Sequence, residues 1–206
     1  MVENLRPHDL LWGFTAKHLP ADAPAWCRAA LLDAPPVVVR RAPPRRGWVA
    51  VGLRGSGRAE RCPAWLPVSA VRALLSPEHL SQRLPERGMH LPVWQTLVKL
   101  RPLLDASRLG WGVTGSAGFE LASGLPVTHA GSDLDLLLRT PEPLARSTAR
   151  QLLDALGATP CKVDIQLQTP LGGVALAEWA RAPARVMVKG EQGPLLVTDP
   201  WEGVPA

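Results

Sequence analysis

The segment that most restricts the fold is Ser132-Asp133-Leu134-Asp135-Leu136-Leu137-Leu138-Arg139, in which two aspartates stand one residue apart in an apolar run. Side chains of an extended strand alternate between faces, so Asp133 and Asp135 share one side and Leu134 and Leu136 the other. Carboxylates held together repel unless a cation lies between them, and hard divalent ions prefer oxygen ligands. A metal-binding strand is the first expectation. A second strand is read over residues 161–168, where Val163, Ile165 and Leu167 alternate strictly with Asp164, Gln166 and Gln168. Between the two, Pro141 and Pro143 open a segment with Ala145, Ala149, Leu152, Leu153 and Leu156 at helical spacing, which Gly157 can close. Strand, helix and strand bring Asp164 near the aspartate pair.

Upstream, Val93, Trp94, Leu97, Val98 and Leu100 mark an amphipathic helix continuing to Leu104, and Trp111-Gly112-Val113 reads as a strand. This strand turns through Gly115-Ser116 into a helix beginning Ala117-Gly118-Phe119-Glu120-Leu121. Backbone N–H groups at a helix N-terminus form an anion site, so phosphate is expected at Gly115 and Ser116. The Gly-Ser turn, the DxD strand and the later strand aspartate together resemble the nucleotidyltransferase superfamily of the polymerase-β type. The longer wording, GSAGFELASG, SDLDLLLR, VDIQLQTPLGGVALAEW and GPLLVTDPW, resembles the malonate decarboxylase holo-acyl-carrier-protein synthases, or phosphoribosyl-dephospho-CoA transferases. The resemblance is strong over residues 88–201 and looser at RPHDLLWG. The loop between Ser116 and Asp133 is long for the wider superfamily and offers room for an unusually large substrate.

The resemblance implies an α+β fold: a polymerase-β-like nucleotidyltransferase domain with a mixed sheet and flanking helices. It implies that a serine of the apo acyl carrier protein subunit of malonate decarboxylase attacks the α-phosphorus of 2′-(5-triphosphoribosyl)-3′-dephospho-CoA, releasing pyrophosphate. Asp133, Asp135 and Asp164 would hold Mg²⁺ or Mn²⁺, Asp164 would also take the serine proton, and Gly115 and Ser116 would bind the leaving phosphates. Two other classes stay open: a nucleotidyltransferase using an ordinary nucleoside triphosphate, and a non-catalytic binding module of the same fold. Glu120 reads as a surface group or a support behind the ligands, His129 as a loop histidine able to touch substrate, and Trp179 and Trp201 as packing residues.

Hydrophobic content of 46% against 20% charged residues excludes a wholly disordered chain. No apolar run reaches the roughly 18 to 20 residues that span a bilayer, and MVENLRPHDLLWGF lacks a basic region followed by a long apolar core. A cytoplasmic protein without membrane contact is expected, with Cys27, Cys62 and Cys161 as buried, reduced thiols. The net charge of +5 is uneven: residues 1–90 hold 13 Lys and Arg against 7 Asp and Glu, residues 91–206 hold 10 against 11. We therefore expect a boundary near Pro85-Glu86-Arg87-Gly88, dividing a basic, partly β module (1–87) from a catalytic domain (88–206).

In the first part, Leu10-Leu11-Trp12-Gly13-Phe14 is an apolar run, Ala25 to Leu32 a short helix, Val37-Val38-Val39 and Trp48 to Leu53 strands, and Ser69 to Leu84 a helix. Arg40, Arg41, Arg45 and Arg46 surround Pro43-Pro44, and Arg54, Arg58 and Arg61 follow on a glycine-rich stretch that includes a Gly55-Ser56 turn. Clusters of this kind attract acidic partners, and no helix-turn-helix, zinc or RNP-like pattern supports nucleic acid. Arg45 and Arg46 are thus candidates for docking the acidic carrier protein. In the second part, Gly172-Gly173 punctuates and Val174 to Ala180 forms a short helix. Residues 185–189 and 194–197 then pair as two strands around Glu191-Gln192-Gly193. Arg185 and Lys189 share a strand face there and are candidates to neutralise triphosphate or carrier-protein charge.

Overall fold

The computed structural model describes residues 5–55, 57, 59–182 and 184–202. Ser56 and Arg58 lie outside the described residues. The chain forms two compact units, Met1–Ser76 and Pro77–Ala206. Residues 77–87, read in sequence with the first part, therefore lie in the second unit, where the buried Leu80 packs beside Gly118.

The first unit is a five-stranded antiparallel sheet, built from β1 (Leu10–Trp12), β2 (Val37–Val39), β3 (Trp48–Arg54), β4 (Arg61–Pro67) and β5 (Ala73–Leu75) in the order β4-β3-β2-β1-β5. Its one α-helix among the described residues is α1 (Trp26–Ala30). Leu11, Val37, Val51, Leu66 and Cys27 are fully buried between them. Cys27 and Cys62 meet in this core, where burial first and the neighbouring thiol second push the Cys27 thiol up to about 11. Both are unbridged; Cys161 is also free but only half-buried, so burial holds for two of the three.

The expected helix over Ser69 to Leu84 is absent. Those residues form a 3-10 turn (Val68–Ala70), β5 and a second 3-10 turn (Pro77–Leu80). Pairing of β5 along β1 satisfies backbone groups that a helix would have kept to itself, and Pro77 disfavours helical geometry at the residue before it. β4 carries Pro63 and Pro67, which a sheet accepts at its edge.

The second unit is a mixed six-stranded sheet with helices. Its elements are α2 (Pro92–Ala106), β6 (Gly110–Val113), α3 (Gly115–Ser123), β7 (Leu134–Arg139), α4 (Arg146–Leu156), β8 (Val163–Thr169), β9 (Gly172–Ala175), α5 (Leu176–Ala180), β10 (Val186–Gly190) and β11 (Gly193–Val197). The order is β11-β10-β9-β8-β7-β6, and only β7 and β8 run parallel, joined by the crossover helix α4. Pro92 opens α2 and Val93, Trp94, Leu97, Leu100 and Leu104 bury its inner stripe. Gly157, at φ 56°, closes α4.

One face of this sheet carries Leu134, Leu136, Leu138, Ile165, Leu167 and Val174, all buried; α2, α4 and α5 pack together against it. Each such side chain contributes roughly 1.5–3 kcal/mol through burial. The other face bears the polar alternates. Gly172 and Gly173, expected to interrupt the chain, instead build β9, because the side-chain amide of Gln166 lies across Gly173 where a Cβ would stand within 2.6 Å of its carbon. Among the described residues no helix is long and apolar enough to cross a membrane.

Candidate active site

The site begins where β6 runs into α3. Gly115 takes φ +62°, a left-handed conformation that glycine adopts without penalty, and the chain turns there into a nine-residue helix. The Thr114 N–H donates to the Asp135 carbonyl at 2.9 Å, and the Gly118 N–H closes back on the Thr114 carbonyl at 2.9 Å. The turn is thereby stitched to β7. The Gly115 Cα lies against the Asp135 side chain: a Cβ there would sit 2.7 Å from Asp135 Cγ and 2.9 Å from its Cβ, with Oδ2 closer still. The N-terminal turn of α3, whose first N–H groups take no helical carbonyl, thus stands beside a strand carboxylate.

Asp135 on β7 pairs directly with Asp164 on β8. Paired residues project to the same face, so two carboxylates stand side by side about 4.8 Å apart at Cα. Asp133 immediately precedes β7, two residues before Asp135 and on the same side. Lys162, two residues before Asp164 along the β8 side, donates from Nζ to Asp164 Oδ2 at 2.6 Å. The pair is exposed, at 65% and 54% of the side chains. The Lys162 ammonium is held above its usual range, first by that hydrogen bond, then by the charge of Asp164, and further by the charges of Asp133 and Asp135. One cation therefore senses all three carboxylates. Among the described residues, no three His, Cys, Asp or Glu side chains already stand in ligand geometry around one point; Asp164 is turned to its lysine.

The loop from α3 to Asp133 is anchored by Glu120. Its Oε2 accepts the N–H groups of Val127 at 2.8 Å and Thr128 at 2.7 Å. Next along the chain, Ser132 Oγ accepts from the His129 N–H at 3.0 Å, the Ser132 N–H returns to the His129 carbonyl at 3.0 Å, and His129 Nδ1 accepts from the Gly131 N–H at 3.1 Å. These bonds fix the approach to Asp133. Removing the carboxylate in Glu120→Ala is expected to cost roughly 1–3 kcal/mol, the penalty of leaving donors without a charged acceptor. Denaturant unfolding checks the cost, and faster amide exchange at Val127 and Thr128 localises it.

The expected site residues fall into two groups. Asp133, Asp135, Asp164, Gly115 and Ser116 lie together at the polar face of one sheet, and Lys189 emerges on that same face two strands from Asp164, while Arg185, expected to share its strand face, stands in the bend just before β10. Arg45 and Arg46 lie in the first unit. Both are exposed; the Arg45 guanidinium lies over Trp48 at 4.6 Å and Trp65 at 5.7 Å. Trp179 and Trp201 pack edge to face at 5.1 Å, their indole N–H groups bonded to the carbonyls of Leu144 and Thr140. Sequence reasoning gave no role to Lys162 and did not see Glu120 as an anchor. The first was detectable, because residues 162 and 164 share a strand face; the second depends on a loop with no periodic signal.

A mixed sheet with a Gly-Ser turn entering a helix beside paired strand carboxylates defines an α+β fold of the nucleotidyltransferase kind. Residues 6–77 match the phosphoribosyl-dephospho-CoA transferase MdcG N-terminal domain, and residues 79–200 match the corresponding C-terminal domain. The chain belongs to the phosphoribosyl-dephospho-CoA transferase family. It is 54% identical over 195 residues to the phosphoribosyl-dephospho-CoA transferase of Pseudomonas aeruginosa, covering 95% of this chain and 93% of that one. The Pseudomonas putida (strain W619) transferase is 52% identical over 199 residues, with 95% of each chain covered, and that of Azotobacter vinelandii 50% over 205 residues, covering 98% and 96%. No solved structure matches the chain.

Proposed function

We propose that the chain moves the 2′-(5-phosphoribosyl)-3′-dephospho-CoA group from 2′-(5-triphosphoribosyl)-3′-dephospho-CoA to a serine of the apo acyl carrier protein subunit of malonate decarboxylase, releasing pyrophosphate. The observation that carries it is the direct pairing of Asp135 with Asp164 beneath the Gly115 turn. In this reading the serine oxygen forms its bond to the α-phosphorus as the bond from that phosphorus to the bridging β-phosphate oxygen breaks. The pyrophosphate leaves toward the N–H groups of Gly115 and Ser116, which stabilise negative charge at a helix start. Asp164, the exposed member of the trio, accepts the serine proton.

The donor set fits a hard divalent cation, since three carboxylates already gather a positive charge in the Lys162 ammonium. Mg²⁺ or Mn²⁺ held by Asp133, Asp135 and Asp164 supplies charge neutralisation and alignment of the attacking and leaving oxygens when bound. Lys162 must then release Asp164, which an exposed ion pair does at little cost. The two unbridged thiols Cys27 and Cys62, in contact in the first unit, suit the reducing cytoplasm.

Intact-mass spectrometry of the apo carrier protein incubated with this chain, Mg²⁺ and the donor tests the reading. The expected result is a gain equal to one phosphoribosyl-dephospho-CoA. A nucleotidyl adduct formed from ATP, CTP, GTP or UTP instead would keep the chemistry and discard the donor. For docking, we read the basic first unit as the carrier-binding surface. Arg46→Glu, which leaves the Arg45 stack intact, is expected to raise the KM for carrier protein about three- to tenfold at low salt, and less at high salt. An unchanged KM would remove Arg46 from that surface.

A further inference from the structure

The register of the second sheet extends the site beyond the reacting centre. Arg139 pairs with Gln168, Gln168 with Gly173, Gly173 with Lys189, and Lys189 with Pro194. Paired residues share a face, so Lys189 emerges on the side that bears Asp135 and Asp164. β10 is antiparallel to β9, which is antiparallel to β8, so β10 and β8 run the same way. Arg185 is exposed in the bend immediately before β10, at the end of that strand nearer the start of β8. With strands about 4.8 Å apart, β10 stands about 10 Å from β8 and about 14 Å from β7.

This face is covered unevenly. Over β6 and β7 it lies under the Pro77–Leu80 turn and α3: a Cβ on Gly112 would strike the Pro77 backbone, and one on Gly115 would strike Asp135. Over β8 to β11 it is open, with Asp164, Ala175, Arg185, Met187, Lys189 and Leu196 exposed. Met187 and Leu196 are direct partners, 40% and 55% exposed. Going away from the carboxylates, the shelf offers the Gln166 and Gln168 amides, then β10 with Met187 between its two cations, then Leu196 on β11 beside Met187.

We propose that this shelf seats the dephospho-CoA arm of the donor: Arg185 and Lys189 bind the diphosphate that joins nucleoside to pantetheine, and Met187 and Leu196 lie under the pantetheine chain. The inference rests on the donor named above. That molecule carries phosphate in two places, a triphosphate at the reacting end and a diphosphate one ribose and one nucleoside away. The structure has two matching centres on one face, the Gly115 turn with its carboxylates and the cations of β10. An acidic helix of a carrier protein laid across the whole shelf would meet Asp164 and its neighbours, whereas the diphosphate is small enough to sit at the cations of β10, where the Glu178 carboxylate is held by the Met187 N–H.

The probe is dephospho-CoA itself, which lacks the triphosphoribosyl group and cannot react, titrated calorimetrically into the full chain. Arg185→Ala/Lys189→Ala is expected to bind it about 10- to 100-fold more weakly than wild type, as the loss of charge-assisted bonds to a diphosphate requires. Met187→Ala, which removes apolar area without adding charge, should weaken dephospho-CoA but leave ADP, which has no pantetheine, nearly unchanged. All three side chains are exposed, so an unaltered melting temperature confirms that the variants are folded. Equal affinity in wild type and the double variant would overturn the inference and leave the donor reading standing. Failure of wild type to bind dephospho-CoA would overturn both. A raised KM for carrier protein with unchanged dephospho-CoA affinity would assign the shelf to the carrier and likewise overturn it.

Discussion

Asp135→Asn is expected to slow group transfer by about 10³-fold or more while leaving the fold intact, a loss of about 4 kcal/mol of transition-state stabilisation. The substitution is nearly isosteric, so the close approach of Gly115 to the side chain is preserved. The backbone bond from the Thr114 N–H to the residue 135 carbonyl is untouched. What disappears is one negative charge, at the point where β7 and β8 place two carboxylates side by side. Single-turnover rates on the carrier protein measure the catalytic loss, and Mn²⁺ titration followed calorimetrically shows whether cation affinity falls with it. Retention of activity within tenfold of wild type would remove Asp135 from the reacting centre. Asp164→Asn carries a different signature, because it also releases Lys162: the carboxylate that accepts its hydrogen bond is gone, while the charges of Asp133 and Asp135 remain.

The strands that carry the proposed reacting centre were legible because they obey period two. In β8, Val163, Ile165 and Leu167 face the helices while Asp164, Gln166 and Gln168 face the other way, and that alternation also fixes which residues of β7 can stand beside Asp164. α4 was legible for the same kind of reason, its apolar positions following helical spacing up to Gly157. The segment from Val68 to Leu80 was not, because Val71, Leu74 and Leu75 fit a helix locally and only the long-range pairing of β5 with β1 overrides that preference. The expectation of a boundary near residue 87, and not at Ser76, follows from the same misreading: Pro77–Leu80 packs on β6 and α3, a contact with no local sequence sign. β9 was hidden by Gly172-Gly173, which reads as a break. Without β9 the register linking Lys189 to Gln168 cannot be drawn, and so Arg185 and Lys189 could be named from sequence as phosphate ligands but not assigned to a separate position on the face.

Gly115→Ala is expected to lower kcat by about 10²-fold or more, for a reason separable from backbone strain. Any L-residue at φ +62° costs roughly 1 kcal/mol. At Gly115 the added methyl also meets Asp135, and rotating the carboxylate away does not suffice, because Asp135 Cβ itself would lie 2.9 Å from the new atom. Either the turn or the start of β7 must shift, and both carry groups of the reacting centre. Gly124 supplies the control. It ends α3 at φ +73°, with nothing within 4 Å of where its Cβ would stand. Gly124→Ala therefore meets the same backbone penalty without intruding on a carboxylate. Both variants should lose a few degrees in Tm, consistent with about 1 kcal/mol in a chain of this size, but only Gly115→Ala should lose turnover. If the two lose kcat equally, the contact between Gly115 and Asp135 is a packing detail. If Gly115→Ala alone fails, the turn positions the carboxylate.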